Sequence, residues 1–425
     1  MNISVIGLGK VGSAMVAVFA SKGFDIWGYD TNKTTLDSLR KNLPIIPEPG
    51  VANLLSTHKE KIEFTETLSE AVDNSEISFI IVPTPSDHQG FFDSTFVEDA
   101  IIGIINALKP NKRHAIVVSS TIMPGAMKRI SANISALIFA NDISIDIQLI
   151  YSPEFIALGN VVNNLLKPQF CLIGSDSNIL ESDRWAASLT SDIKSRITNA
   201  EAPIHMVTFE SAEIAKISCN TFLTTKITYA NLISQLTDKI PGANVGEVFE
   251  VLHSDDRIGS RFFSPGLGYG GPCLPRDNRA LGNLLDQLQI PSALPFATHD
   301  FNESLVIQIL NSSKANQLSE GDSLVILGLA YKIDTSSLIE SHALKIANAF
   351  QKKGIAVRAH DFLVDFSSKE LNFLDHGSNS LDKKLLENAQ GILISHGDPR
   401  YREFLSGEII NNKILIDPWG IIDGF

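Results

Sequence analysis

The chain has few cysteines and no long apolar stretch. Its 425 residues include three cysteines, Cys171, Cys219 and Cys273, which lie far apart and are odd in number. This pattern excludes a disulfide framework, and no Cys-x-x-Cys pair supplies the spacing of a metal site. No apolar segment reaches about 18 residues, the minimum for a membrane-spanning helix. We therefore expect neither a bound metal nor a membrane partner.

Basic charge is also scarce. The chain has 35 Lys and Arg against 48 Asp and Glu, a formal net charge of -13. Nucleic acids and anionic membranes both need a basic face, so this balance argues against either as a partner. A nucleotide is not excluded, since it needs only local cations and amide donors. The sequence begins on a strand-like run without a basic region or a cleavage site, which favours a cytoplasmic protein.

Length and composition indicate a globular protein of two or three domains. The hydrophobic fraction of 44% and the charged fraction of 20% are ordinary for a chain with a large core. There is no low-complexity tract and no long linker, so the whole chain is expected to fold.

The N-terminal segment combines a strand, a glycine motif and a helix. The β-branched run Asn2–Ile6 is typical of a buried parallel strand, and G-x-G-x-x-G follows it at once. The next apolar run ends in Asp30, about 20 residues after the glycines. This context favours a dinucleotide site over a turn that binds nothing.

Each part of this motif has a physical task. Gly7 makes the turn, Gly9 lets a pyrophosphate approach the backbone, and Gly12 lets the helix pack against the strand. The N-terminus of the helix attracts phosphates, and Asp30 accepts hydrogen bonds from ribose hydroxyls. Because Asp30 would repel a 2′-phosphate, the sequence favours NAD over NADP. The predicted cofactor residues in this region are Gly7, Gly9, Lys10, Val11, Gly12 and Asp30.

Further buried strands are predicted at 77–82, 115–119 and 148–151, the spacing of a doubly wound sheet. Ligands of such sheets gather at the carboxyl ends of the strands. Any one of the segments that follow these strands is ordinary loop composition, but three at the same edge favour a site. They carry Pro83 and Thr84, Thr121, and Glu154 with Phe155.

Residues 265–277 contain four glycines and three prolines, which exclude a helix interior or a central strand. Cys273 lies near the end of this loop, followed by Arg276 and Asp277. A nearby cation lowers the pKa of a thiol, so Cys273 is a candidate nucleophile. The alternative is a small apolar side chain that fills a tight turn.

A sustained helical period predicts one long helix over 210–240. Glu213, Lys216 and Asn220 are three and four residues apart and so share one face. This face is either a solvated stripe with an internal ion pair or a polar site among apolar neighbours. A second helical region is predicted at 245–252, and the pattern is helical again over 280–318.

A second α/β unit begins with the strand-like run at 323–328, and its strands recur at 356–361, 391–395 and 413–417. It has Gly328 but no complete glycine motif, so a second dinucleotide site is not expected. Lys332 follows the strand closely enough to neutralise a phosphate. The pattern predicts two Rossmann-like, doubly wound α/β domains joined by a mainly helical centre.

Taken in order, these motifs resemble the UDP-glucose/GDP-mannose dehydrogenase family, NAD-dependent four-electron oxidisers of nucleotide sugars. The resemblance covers nearly the whole chain. It rests on GLGKVG, PTP at 83–85, SSTIMPGA from Ser119, SPEF from Ser152, ESAEIAKISCNTFLTTK from Glu210, DRIG from Asp256, GLGYGGPCLPRD from Gly266 and GLAYK from Gly328. It implies an NAD domain (1–200), a central helical dimerisation region with the cysteine loop (201–318) and a nucleotide-sugar domain (319–425).

The resemblance also implies a chemistry. Cys273 would capture the intermediate aldehyde as a thiohemiacetal, which is oxidised to a thioester and then hydrolysed. Lys216 and Asn220 would stabilise the developing oxyanion. Asp277 and Glu154 would accept protons or hold the hydrolytic water, with the Thr121 hydroxyl assisting through that water.

The expected substrate-binding residues follow from the same resemblance. Lys332 would bind the diphosphate, and Arg257 would reach the nucleotide sugar across a homodimer. The full predicted set is Glu154, Phe155, Lys216, Asn220, Arg257, Tyr269, Gly270 and Lys332.

UDP-glucose, oxidised to UDP-glucuronate, is the leading substrate, and GDP-mannose or another UDP-sugar is the alternative. A catalytically silent nucleotide-sugar-binding protein is a third reading, disfavoured because Cys273, Lys216, Asn220 and Asp277 are all present. A two-electron hydroxyacid dehydrogenase would have no use for the cysteine.

Four positions depart from the family pattern. Leu158 replaces a second acid, Ile339 an arginine associated with the cofactor side, Pro272 a serine and Arg276 a lysine. None of these changes removes a residue with a predicted chemical step. They leave NAD affinity and sugar identity open.

Overall fold

The structure is a computed structural model that describes residues 1–44, 48–405, 410 and 412–422. The chain divides into two compact units, Met1–Ser218 and Cys219–Phe425. Each unit contains one predominantly parallel β-sheet covered by helices. The α/β class predicted from the sequence, with two Rossmann-like sheets and a central helical region, is confirmed.

The strands and helices of the first unit alternate along the chain. Its strands are β1 (Asn2–Ile6), β2 (Asp25–Tyr29), β3 (Ile62–Phe64), β4 (Ile77–Ile80), β5 (Arg113–Val118), β6 (Asp146–Tyr151), β7 (Cys171–Ser175) and β8 (Ile204–Thr208). Its helices are α1 (Lys10–Ser21), α2 (Lys33–Arg40), α3 (Val51–Thr57), α4 (Leu68–Asp73), α5 (Thr95–Ala107), α6 (Ala126–Ala140), α7 (Val161–Leu166) and α8 (Trp185–Ile197). Helix α9 (Phe209–Lys239) begins in this unit and ends in the second.

The sheet of the first unit has the order β3-β2-β1-β4-β5-β6-β7-β8. Neighbouring strands are parallel except β6 and β7, which pair antiparallel. The chain adds β2 and β3 on one side of β1 and then returns to add β4 on the other. This reversal creates a topological switch point, where the carboxyl ends of β1 and β4 form the usual crevice for a dinucleotide.

Helices pack on both faces of this sheet, which explains why its central strands β1, β4 and β5 are buried without alternation. Helix α1 is buried along most of its length, with Met15 and Phe19 fully enclosed. The ring centroid of Phe19 lies 5.1 Å from that of Phe79 on β4, in an edge-to-face arrangement. The burial of α1 fixes its N-terminus, and the glycine loop before it, against the sheet.

The second unit has a five-stranded parallel sheet in the order β11-β10-β9-β12-β13. Its strands are β9 (Ser323–Leu327), β10 (Ala356–His360), β11 (His376–Ser378), β12 (Gly391–Ile394) and β13 (Ile414–Ile416). Its helices are α10 (Val245–His253), α11 (Leu274–Gln287), α12 (Ala293–Leu310), α13 (His342–Lys352) and α14 (Pro399–Leu405). Short 3₁₀ helices in the two units span Lys59–Lys61, Glu181–Asp183, Ala315–Gln317, Lys369–Leu371 and Lys383–Leu386.

Two sequence predictions need correction. The glycine-rich loop ends at Cys273, because Leu274 to Asp277 form the first turn of α11. Pro275 is compatible with that turn, where backbone N–H groups have no helical partner. The helical pattern predicted over 280–318 is interrupted after Gln287, and α12 begins only at Ala293.

Within the described ranges, every helix is too short or too polar to cross a bilayer.

Candidate active site

The glycine motif forms a tight loop between β1 and α1. Gly7 has a φ of 93°, and a Cβ there would lie 2.5 Å from the Ile81 carbonyl oxygen. A Cβ at Gly12 would lie 1.9 Å from the Gly7 carbonyl oxygen, so only glycine permits this helix–loop contact. A Cβ at Gly9, by contrast, would meet nothing within 4 Å. The backbone beside the N-terminus of α1 is therefore approachable by a pyrophosphate.

Asp30 closes the other side of this loop. Its Oδ2 accepts a hydrogen bond from Leu8 N at 2.7 Å, and its Oδ1 accepts one from Asn32 N at 2.8 Å. Each carboxylate oxygen has a second lone pair with which to accept a ribose hydroxyl. Val11 packs against the core of the unit. The residues of this loop fit a bound NAD.

Glu48 links the glycine loop to a later segment and was missed in the sequence analysis. Its buried carboxylate lies 3.3 Å from Lys10 Nζ and accepts hydrogen bonds from Gly159 N at 2.9 and 3.0 Å. The Lys10 ammonium is therefore paired within the protein. No local pattern marks Glu48, since its partners lie about 40 and 110 residues away along the chain.

The segments after β4 and β5 are tied together. Thr84 is buried, and its hydroxyl donates to the Thr121 carbonyl oxygen at 2.8 Å. Ser120 Oγ donates to the Val82 carbonyl oxygen at 2.7 Å. Pro83 is exposed beside them. Two of the predicted cofactor residues, Thr84 and Thr121, are thus brought into contact at one edge of the sheet.

Glu154 and Phe155 follow β6 and are held by two lysines. Lys216 Nζ donates to the Glu154 carbonyl oxygen at 2.7 Å and lies 4.5 Å from the centroid of the Phe155 ring. Lys194 Nζ forms an ion pair with Glu154 Oε1. Lys216 and Lys194 are both buried. Lys194 carried no signal in the sequence, because it occupies an inward position on an otherwise amphipathic helix.

Glu213 is also buried, which decides between the two readings of its helical face. Its carboxylate accepts hydrogen bonds from Gly125 N and Met127 N, both at 2.7 Å, at the start of α6. Burial raises the pKa of Glu213 to about 7, although these two backbone amides act in the opposite direction. Glu213 and Lys216 belong to the interior of the first unit, so the solvated-stripe reading is wrong.

In the second unit, Cys273 occupies the N-cap position of α11 and is exposed. The positive end of the helix dipole favours a negative charge on its sulfur. Asp277 N donates to the Cys273 carbonyl oxygen at 2.8 Å, so the two residues lie one helical turn apart. The sequence spacing of four is thus the spacing of neighbours on a helix face.

Asp277 is fully buried and accepts hydrogen bonds from two side chains. Asn220 Nδ2 donates to its Oδ2 at 2.6 Å, and Arg276 Nε donates to its Oδ1 at 3.0 Å. Charge-assisted hydrogen bonds of this kind hold a buried carboxylate in one orientation. The Asn220 amide, a poor helix former in mid-helix, therefore has a specific partner.

The loop before Cys273 is fixed by backbone contacts. The Asn302 side chain accepts from Tyr269 N at 2.8 Å and donates to the Tyr269 carbonyl oxygen at 3.0 Å. A Cβ at Gly270 would lie 2.4 Å from the Glu340 carbonyl oxygen. Burial raises the pKa of Tyr269, so its phenol stays neutral and donates to the Thr298 carbonyl oxygen. The loop is a rigid support for the cysteine.

A cavity of about 300 Å³ opens beside this loop in the second unit. It brings together three of the predicted substrate residues, Tyr269, Gly270 and Lys332. Its lining also includes His342, His396 and Trp419, which the sequence analysis did not select. A volume of this size accommodates part of a nucleotide.

Arg257, one of the predicted substrate-binding residues, is highly exposed to solvent. Its side chain is 89% exposed and pairs with Asp255, whose carboxylate raises the pKa of the guanidinium. Two of the positions that depart from the family pattern differ in burial: Leu158 packs against the core of the first unit, and Ile339 is exposed.

The described residues contain no group of three or more His, Cys, Asp or Glu arranged to hold a metal ion.

The predicted residues thus fall into two sets. In the first unit the structure places the glycine loop with Asp30, Thr84 with Thr121, and Glu154 and Phe155 with Lys216. In the second unit it places Asn220 with Asp277 one turn from Cys273, and Tyr269 and Gly270 with Lys332. A doubly wound fold whose glycine loop and acidic residue fit a bound NAD defines the class of nicotinamide-dependent oxidoreductases.

Comparisons with known proteins specify the family. Residues 1–187 match the NAD binding domain of the UDP-glucose/GDP-mannose dehydrogenase family, residues 210–304 its central domain, and residues 325–424 its UDP binding domain. The chain belongs to the UDP-glucose/GDP-mannose dehydrogenase family. It is an NAD-dependent oxidoreductase of the nucleotide-sugar 6-dehydrogenase class.

Individual relatives carry both substrate names. UDP-glucose 6-dehydrogenase TuaD of Bacillus subtilis is 30% identical over 363 residues, which cover 85% of this chain and 76% of that one. GDP-mannose 6-dehydrogenase of Azotobacter vinelandii is 28% identical, covering 99% of this chain and 97% of that one. The structure of a UDP-glucose dehydrogenase from Pyrobaculum islandicum matches with a TM-score of 0.88 at 28% identity, covering 100% of this chain and 95% of that one.

Proposed function

We propose that this protein oxidises the C6 hydroxymethyl group of a nucleotide sugar to a carboxylate through a covalent intermediate on Cys273. One observation carries the proposal. Cys273 is an exposed cysteine at a helix N-terminus, one turn from the buried Asp277 that Asn220 holds. A two-electron dehydrogenase has no chemical need for such a cysteine.

The proposed reaction consists of two oxidations at C6, separated by addition of the thiolate, and a final hydrolysis. The C6 alcohol loses a hydride and a proton to give an aldehyde, and the Cys273 thiolate adds to its carbonyl carbon as a thiohemiacetal. Loss of a second hydride and proton gives a thioester. Water then adds to the thioester, the C–S bond breaks, and the products are the carboxylate and the regenerated thiol. NAD, when bound, supplies the chemistry of accepting one hydride at each oxidation.

The residues divide the remaining tasks by their chemistry. Lys216 and Asn220 would stabilise the oxyanion that develops at C6, where a buried cation and an amide donor act strongly. Glu154 and Asp277 would accept protons or hold the hydrolytic water, and Thr121 would assist through that water. In the cavity, Lys332 would bind the diphosphate. The resemblance to the family, the contact of Lys216 with Glu154 and the contact of Asn220 with Asp277 support these assignments.

UDP-glucose, giving UDP-glucuronate, is the leading substrate, with GDP-mannose and other UDP-sugars as alternatives. Relatives named for both UDP-glucose and GDP-mannose support the class of substrate. We also propose a homodimer in which Arg257 completes the neighbouring site, a cytoplasmic location, and domain boundaries near residues 200 and 318.

The test is the stoichiometry of NADH formed per acid over a panel of UDP- and GDP-sugars. We expect two NADH for each acid produced from the true substrate. UDP-xylose, which lacks the C6 hydroxymethyl group, is the matched control and should give none. One NADH per sugar with a stable aldehyde product would contradict the four-electron reaction.

A further inference from the structure

Lys194 is a buried lysine outside the motifs. It lies on α8, and its side chain is only 6% exposed. A lysine is almost never fully buried unless its charge is paired, because removing an ammonium from water is costly. The position of Lys194 therefore needs an explanation in terms of its partner.

That partner is Glu154, which contacts one lysine through its side chain and another through its backbone. Its carboxylate forms the ion pair with Lys194, and its carbonyl oxygen accepts from Lys216 Nζ at 2.7 Å. The two ammonium groups come from different helices, α8 and α9. The Glu154 side chain is 12% exposed, so its carboxylate keeps a narrow opening to solvent.

Two titratable groups accompany this carboxylate: Lys194 from α8 pairs with it, and Cys171 from β7 lies close enough to interact with it electrostatically. Lys216 from α9 contacts the backbone carbonyl oxygen of Glu154 instead. Burial raises the pKa of the Cys171 thiol, so the thiol stays neutral and does not compete for Lys194. The Phe155 ring, which follows Glu154 in the chain, has its centroid 4.7 Å from that of the Phe170 ring. A cation beside a carboxylate favours its charged form and fixes its orientation.

Glu154 is also the only acid in the segment 152–158. The second acid typical of the family is Leu158 here, and its side chain packs against the core. No neighbouring carboxylate in this segment can take over from Glu154 if it becomes protonated. Lys194 is therefore paired with the one acid of this segment.

We propose that Lys194 is a positioning residue that keeps Glu154 ionised and correctly oriented to accept a proton from the hydrolytic water. The inference rests on the role proposed above for Glu154. In the proposed role, Lys194 contacts Glu154 and not the substrate or the cofactor. Its effect passes through the carboxylate, so it should act on thioester hydrolysis and leave NAD binding unchanged.

The test is the pH dependence of acid release in a single turnover. Lys194→Met keeps an unbranched side chain and removes the charge. We expect the acidic limb of the profile to move to higher pH by about one to three units, with at least a tenfold lower rate at pH 6.5 and recovery at pH 9. The KM for NAD should not change. Lys194→Arg, which keeps the charge, should retain the parent profile.

Further variants separate the possible outcomes. If Lys194→Met does not fold, Lys194→Gln takes its place as the test variant. It keeps a neutral hydrogen-bond donor and should show the same shift of the acidic limb to higher pH. The double variant Lys194→Met with Glu154→Gln should match Glu154→Gln alone, since both effects pass through one carboxylate. Lys128→Met, at an exposed lysine of α6, is the control and should leave the profile in place.

Two results would overturn one proposal or the other. If Lys194→Met and Lys194→Gln lower the melting temperature but leave the acidic limb where it is, the ion pair is only structural and this inference fails. If Glu154→Gln releases acid at the parent rate, the proposed role of Glu154 fails first.

Discussion

Glu154, Glu213 and Asp277 are three carboxylates withdrawn from solvent, and each is held by a different kind of donor. Glu154 pairs with an ammonium group, Glu213 accepts from two backbone amides at a helix N-terminus, and Asp277 accepts from an amide and a guanidinium side chain. A buried carboxylate without partners would be strongly destabilising. These partners therefore supply each of the three carboxylates with hydrogen-bond donors inside the protein.

Glu213 should make the stability of the protein depend on pH in a recognisable way. Its pKa is raised from the ordinary 4.5 to about 7 in the folded state. The stability that it contributes is fully present below pH 4.5 and is lost as the pH rises through 7, because the unfolded chain releases the proton first. The total loss is about 3 kcal/mol by the usual conversion of a pKa shift.

We expect Glu213→Gln to lack this loss. The midpoint of urea unfolding for the parent protein should exceed that of the variant most at pH 4.5, and the difference should narrow toward pH 7.5. Glu210→Gln, one turn earlier and partly exposed, is the control and should show no such trend. A difference that stays constant with pH would mean that Glu213 ionises in the folded protein as it does in water.

At the residue level, the motif residues could be selected from sequence, but several of their partners could not. The glycine motif and the Cys273 loop are marked by local composition. Lys194 and Glu48 are marked by nothing local, because the residues that they contact lie about 40 or more than 100 positions away along the chain. Whether Glu213 faced water or the interior was likewise decided only by packing.

At the level of elements, apolar β-branched runs predicted the longer buried strands and the long helix α9 well. The short strands β3 (sequence IEF) and β11 (sequence HGS) were missed because neither forms an apolar run, whereas the equally short β13 lies in the apolar run predicted at 413–417. Strands β7 and β8, which follow the last strand predicted in the first unit, were not predicted either. The break between α11 and α12 falls near Pro291, a helix breaker that the prediction over 280–318 passed over.

Helix α9 and the residue that follows it carry a row of exposed apolar side chains from Phe222 onward. They recur at intervals of three, four or seven residues and are 46–64% exposed. The row consists of Phe222, Tyr229, Leu232, Leu236 and Ile240. Such a stripe favours burial against another surface, and a second copy of the same chain supplies a matching one.

We expect Leu236→Glu to weaken self-association at least tenfold, since a charge would have to be buried in the interface. Sedimentation equilibrium measures this change, and activity should fall as the dimer dissociates. Phe139→Glu on α6, at a side chain that is 88% exposed, is the matched control and should leave the assembly intact. A fully active monomer of the parent protein would contradict the proposed dimer.

At the scale of the whole molecule, the family was identifiable because its motifs are spread over nearly the entire chain in a fixed order. Two units with parallel sheets, three matched family domains and a dinucleotide loop agree with that identification. The identity of the base and sugar is a finer property. Trp419 and His396 line the cavity of the second unit, and no sequence motif marks either of them.

The central claim is that Cys273 carries the sugar as a thioester, and intact-protein mass after mixing with NAD and nucleotide sugar tests it most directly. Cys273→Ser should still allow the first oxidation and should accumulate an ester adduct, because an alkoxide leaves far less readily than a thiolate. Cys273→Ala should show neither adduct nor acid, while still binding NAD and the nucleotide sugar. Acid formed by Cys273→Ala at the parent rate would contradict the mechanism.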